Sequence, residues 1–252
     1  MNLFKKIRPK DKLKYLSWYD LLIITVIMFG QFIVTSTELL IESLNPASQF
    51  IEEYADTVSS NDGAAFSSNF TLQVVLLILA LIYLFIRNFD FKQLKIKFKP
   101  SVLLWAVLMF IIVGLFGDFI TTVSGEYNYF NPELMQYINP LEIINKFMTL
   151  SPMAIIYSLL NGFYEEFFFL GLMTSVKGKY KRHALAFSTL IRISFHTYQG
   201  ILWAMIIGVV YGLFYYFMYK RIVKNLLPFF LMHALTDMFG STFLYLLISW
   251  NY

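Results

Sequence analysis

Long apolar runs recur along the chain with few polar interruptions. Seven of them, at 18–37, 70–86, 101–121, 152–175, 184–199, 201–219 and 226–249, are long enough or nearly so to cross a bilayer; the fifth is short. A helical crossing takes about 20 residues. None of the runs shows the alternation of a membrane barrel strand. In hydrocarbon every backbone polar group needs an internal partner, so the pattern predicts helices throughout. The stretch YADTVSSNDGAAFSSN reads as a polar loop, and FNPELMQYINPLEIINKF is expected to hold a short interfacial helix. There is no internal repeat and no low-complexity tract.

Charge placement orients these spans. Of 20 Lys and Arg, 18 fall in the N-terminal tail, RNFDFKQLKIKFK, KGKYKR and KRIVK. Those are alternate connections of a seven-span chain. The opposite connections are acidic: the first holds Glu38, Glu42, Glu52, Glu53, Asp56 and Asp62 with no basic residue, and the second holds only Lys146 among four acids. The positive-inside rule then puts the N-terminus in and the C-terminus out. The start lacks the short apolar core and cleavage site of a secretory signal, and reads as a retained cytosolic tail.

Composition agrees. Of 252 residues, 58% are hydrophobic, 19% aromatic and only 14% charged, and mean hydropathy is +0.61. This fits a polytopic, all-α transmembrane bundle forming one integral domain in the cell membrane. Residues 1–150 supply the tail and three accessory helices, and 151–252 the part that carries candidate chemistry. The net charge of +4 is not spread over a soluble face, so nucleic acid is not an expected partner. With no cysteine, disulfides, thiol chemistry and thiolate metal sites are excluded.

Few ionisable groups then remain inside spans: Glu165, Glu166, Arg192, His196, His233 and Asp237. An intramembrane charge costs a few kcal/mol, so such residues mark bundle interiors or wet cavities. Counted from the basic flanks at about 1.5 Å per residue, Glu165, His196 and Asp237 lie roughly 18–21 Å deep and His233 roughly 14 Å. Three spans thus place polar groups in one layer. Glu165 and Glu166 diverge by about 100° on a helix, so one can face a reacting centre while the other pairs nearby. His233 and Asp237 share a face, as do Arg192, His196 and Gln199. Singly, each histidine reads more simply as an inter-helix hydrogen-bond partner. His183 reads as an interfacial residue. The aromatics of NGFYEEFFFLG read as packing groups, and Gly162, Gly171, Gly208 and Gly212 as close-packing positions.

A carboxylate in a low-dielectric pocket can act as general base toward water. A histidine can carry the proton to a leaving amine, and a His–Asp pair can stabilise an oxyanion. No G-x-S-x-G occurs, so in a hydrolase activated water is the natural nucleophile. Glu165, His196 and His233 could also form a zinc set, although H-E-x-x-H is missing.

The elements EEFFFLG, SFHTYQG and HALTD resemble those of the CPBP (Abi) family of intramembrane proteases, over about residues 150–240. That family includes CAAX prenyl endopeptidases and bacteriocin-processing or self-immunity proteins. Its pattern is E-E-x-x-x-R, F-x-x-x-H and H-x-x-x-N/D on successive helices. The resemblance implies Glu165 as the base that activates water, Glu166 as its support and His196 as the second catalytic group. It implies His233 and Asp237 as the oxyanion pair. A metal-free glutamate mechanism is the favoured expectation, with zinc or another divalent ion as the alternative. Two positions depart from the pattern: Leu170 replaces the Arg, and Arg192 the Phe. Arg192, one turn from His196, is expected to supply the missing cation to Glu166.

The function expected is cleavage of a hydrophobic or membrane-associated peptide: a prepeptide, bacteriocin, signalling peptide or CAAX-type substrate. The alternatives are a catalytically silent immunity or scaffold protein, and a proton-coupled transporter.

Overall fold

The computed structural model describes residues 10–45 and 63–249. The acidic stretch with Glu52, Glu53, Asp56 and Asp62, most of the expected polar loop and residues 1–9 of the basic tail lie outside them. Among the described residues the regular secondary structure is helical, apart from isolated bridges at Leu13–Phe89 and Ile138–Ile248. We label the main helices α1 (Trp18–Ser43), α2 (Gly63–Ile86), α3 (Ser101–Ser124), α4 (Glu142–Thr149), α5 (Pro152–Glu166), α6 (Lys181–His196), α7 (Ile201–Val223), α8 (Leu227–Phe239) and α9 (Leu244–Leu247). A π-helical segment, Phe167–Leu172, prolongs α5, and α7 contains two more, Ile206–Tyr211 and Met218–Val223.

The span count differs from the sequence expectation of seven. Among the described residues four helices, α1, α2, α3 and α7, are long and apolar enough to cross a membrane. A fifth crossing is available if α4 and Pro152–Leu172, bent by 99°, are one broken span. The expected span at 184–199 is a 16-residue helix. The one at 226–249 stops after 13 residues, about 20 Å against a hydrocarbon core of about 30 Å. Gly240 ends it, with φ +82, the left-handed geometry that closes helices at glycine. Conversely, α1 runs past residue 37 and carries Glu38 and Glu42 on its last turns. The expected interfacial helix is α4, with Leu141, Ile144, Phe147 and Met148 exposed at or beside it.

The chain divides into two compact units. The first comprises α1, residues 68–86 of α2, the connection to Lys97, and Tyr164–Leu226. Its α1 is started by Ser17, whose backbone N–H donates to Asp20 Oδ2 at 2.9 Å. The core is aromatic: Phe29 meets Tyr164, Phe168, Phe169 and Phe195 at centroid distances of 4.6–5.5 Å. Gly208 allows α7 onto α6, because a Cβ there would lie 2.3 Å from Ile193 Cγ1 and 2.9 Å from its backbone nitrogen.

The four basic stretches meet at one end of this unit. Leu13 N–H donates to Asn88 O at 2.9 Å and Leu16 N–H to Ser175 O at 2.8 Å. Leu226 N–H donates to Lys95 O at 2.8 Å. The Asn225 side chain accepts from Lys97 N–H at 2.9 Å and donates to Lys97 O at 2.8 Å.

Among the described residues the second unit comprises 63–67, Phe98–Phe163 and 227–249. Here α3 packs along α8. Asp118 Oδ2 on α3 accepts the backbone N–H groups of Phe243 and Leu244 at 3.0 and 2.7 Å. Gly162 on α5 meets α8 backbone to backbone: a Cβ there would lie 2.4 Å from Phe230 O and 2.8 Å from Ala234 N.

Candidate active site

The helix α5 carries the paired carboxylates at its C-terminal end. Its start is set by Pro152 in the first turn and by Ser151 Oγ, which accepts from Ala154 N–H at 3.1 Å. Its far end widens into the π segment directly after Glu166. Such segments occur frequently at functional sites. Tyr164 fixes the rotation of this end, because its hydroxyl donates to Met28 O on α1.

Glu165 and Glu166 are both buried, at 4% and 0% exposure. Glu166 is the one that pairs with Arg192: Nη2 donates to Oε1 at 2.9 Å and to Oε2 at 3.1 Å. The arginine is itself buried. Its guanidinium lies 4.0 Å from the Phe169 ring centroid and 5.6 Å from that of Tyr215, which adds cation–π attraction in a desolvated setting. Gly212 on α7 leaves room for the side chain: a Cβ there would already touch Arg192 Cδ at 3.5 Å. Leu170 and Arg192 line the same small cavity. The cation absent at position 170 is therefore present beside it, delivered from α6.

His196 ends α6, one turn after Arg192. Its Nδ1 lies 2.7 Å from Arg192 O. A carbonyl can only accept, so Nδ1 carries the proton and the neutral ring keeps its lone pair at Nε2. The turn after it is clamped by α1. Thr197 Oγ1 and Ser36 Oγ are 2.9 Å apart, and Tyr198 N–H donates to Ser36 Oγ at 2.9 Å. Glu166, Arg192 and His196 thus form one connected group in the first unit, with Glu165 adjacent to it on α5.

His233 and Asp237 lie in the second unit, one turn apart on α8, with Nε2 and Oδ1 3.6 Å apart. His233 is buried and Asp237 is exposed. Asn161 Nδ2 donates to Asp237 Oδ2 at 2.8 Å, tying this pair to α5 four residues before Glu165. His183 is exposed at the basic end.

Sequence reasoning passed over Asn161 and Ser36. Both are neutral and common in helices, and neither carries a pattern signal. Asn161 stood within the NGFYEEFFFLG stretch, where its spacing of four from Glu165 was the available cue.

A zinc ion in a catalytic site takes three protein ligands. Both oxygens of Glu166 are engaged by Arg192. Among the residues put forward as ligands, the first unit then offers Glu165 and Nε2 of His196.

Residues 147–239 match a family model described as type II CAAX prenyl endopeptidase Rce1-like. Over that segment the chain is similar to that family. The match begins in α4 and ends with the last residue of α8, so it takes in every candidate residue above. No curated protein and no solved structure matches. The Rce1-like description is that of a protease family, and the apolar helices make the chain a membrane protein.

Proposed function

We propose that this chain is an intramembrane endopeptidase of the cell membrane. It hydrolyses a peptide bond in a hydrophobic or membrane-associated peptide, such as a prepeptide, a bacteriocin, a signalling peptide or a CAAX-type tail. The observation that carries the reading is a buried Glu166–Arg192 ion pair set directly beside a second buried carboxylate, Glu165. Glu166 is neutralised by Arg192, and Glu165, about 100° round the helix, is positioned as the base.

In this mechanism Glu165 takes a proton from water as the oxygen attacks the scissile carbonyl carbon. Glu165 passes that proton to Nε2 of His196, the accepting ring atom because Nδ1 is held on Arg192 O, and so returns to its carboxylate form. The protonated ring then donates to the amine as the C–N bond breaks. His233, set against Asp237, is assigned to the oxyanion. Glu166 and Arg192 hold α5 on α6 without adding net charge. Loss of the family arginine at Leu170 is no objection to activity, since Arg192 reaches the same carboxylate. The mechanism requires no metal.

Cleavage of a membrane-anchored peptide in proteoliposomes tests this, comparing wild type with Glu165→Gln and His196→Ala at matched folding. Loss of cleavage in both variants, with a chelator leaving wild type active, is the expected result. Undiminished cleavage in either variant overturns the assignment, and chelator-sensitive cleavage overturns its metal-free form.

A further inference from the structure

At the basic end of the first unit, Lys181 of α6 and Lys220 of α7 line a niche with Phe169, Met173, Leu185 and Tyr216. The ammonium groups stand against apolar walls. No acidic residue lines the niche, and neither lysine has a carboxylate partner among the described residues. Lys220 is half-buried and also within electrostatic reach of Lys95 and Lys181. The like charges repel each other, and half-buried Lys220 also loses hydration, which an anion would relieve.

A second observation points the same way. The niche adjoins the inner cavity of Leu170 and Arg192, with Phe169, Leu185, Ser188 and Tyr216 shared between them. Arg192 Nη1, buried there, has no hydrogen-bond partner among the described residues. The inner wall therefore carries a further uncompensated donor.

We propose that this niche binds the headgroup phosphate of an anionic phospholipid. Apolar walls distinguish it from a site for a soluble anion. Tyr180, Phe217 and Ile222, close in sequence to the two lysines, are exposed as lipid-facing side chains would be. The four hydrogen-bonded basic stretches form the end that the positive-inside rule assigns to the cytosolic leaflet. Basic pockets between helices on that side take acidic headgroups. The proposal does not depend on the protease reading.

Native mass spectrometry of the full chain in mild detergent tests it, with phosphatidylglycerol, phosphatidylcholine and inorganic phosphate as probes. Wild type is expected to retain phosphatidylglycerol over phosphatidylcholine by roughly tenfold. Lys181→Gln with Lys220→Gln abolishes that preference, and Lys181→Arg with Lys220→Arg keeps it. The exposed pair Lys177→Gln with Lys179→Gln changes it by less than about twofold. If the Lys181/Lys220 glutamine pair does not fold, the exposed Lys181→Gln alone still lowers the preference. Equal retention of both lipids by wild type overturns the proposal, as does full retention by the glutamine pair. Displacement of the lipid by inorganic phosphate makes the niche a site for a soluble anion and likewise overturns it.

Discussion

Asp20 and Glu166 are both fully buried carboxylates held by arginine within the first unit, yet their surroundings differ. Asp20 Oδ1 accepts from Tyr83 OH and Arg87 Nε, both at 2.7 Å, and Oδ2 accepts from Ser17 N–H at 2.9 Å. Arg87 Nη2 continues to Tyr19 OH at 2.5 Å. Both Nε and Nη2 of that arginine end on partners. Glu166 instead receives both of its arginine contacts from one nitrogen, Nη2, while Nη1 of Arg192 has no hydrogen-bond partner among the described residues. The first arrangement fastens α1 to the end of α2. The second lies beside Glu165 and His196 on a widened helix, and keeps unused hydrogen-bonding capacity. Of these two pairs, the one with more partners is the anchor, and the one with a spare donor lies beside the candidate site.

The sharpest separation comes from Glu165→Gln. Peptide cleavage is expected to fall by about 100-fold or more, with the thermal midpoint little changed. A midpoint that dropped along with activity would place Glu165 among the anchors.

Arg87→Met should do the reverse. It strands a buried carboxylate and costs about 3–5 kcal/mol of stability, while activity per folded molecule stays near wild type. Adding Asp20→Asn should restore most of the stability, read by denaturant titration in detergent. No recovery in the double variant would remove the anchor reading.

Arg192→Leu is expected to lower both stability and cleavage. Leu170→Arg in that background should return part of each, since both positions line one cavity. Recovery of stability without activity would make the pair with Glu166 purely structural. The smallest effect is expected from Ser36→Ala, at about 1 kcal/mol and a few-fold loss in kcat. It loosens the turn after His196 and leaves both ion pairs intact.

The site was more legible in the sequence than the anchors were. Glu165, Glu166 and His196 stood out because apolar neighbours make an ionisable residue conspicuous. The Glu166–Arg192 contact was expected because the family pattern has an arginine where Leu170 stands, and Arg192 is within side-chain reach. Asp20 and Arg87 sit at helix ends, where charges are ordinary, so nothing in the pattern separates a buried pair from a wet one. Span lengths were overread at the C-terminal end: hydropathy continues through Phe239 and resumes at Phe243, but Gly240 takes a left-handed conformation and closes α8 between them. Apolar composition does not record backbone direction. The π segments were equally silent, because a wide turn is built from the same residues as a narrow one.

The wide turn Phe167–Leu172 also has a genealogical meaning. A helix that makes i→i+5 bonds over one turn has absorbed an extra residue, and everything beyond is rotated relative to a chain without it. Relatives whose helix continues regularly after the paired glutamates are then expected to align with a one-residue gap here. Residue 170, matched to an arginine by counting letters, need not be the spatial successor of that arginine. Homology along this stretch is a question of angle before it is a question of identity.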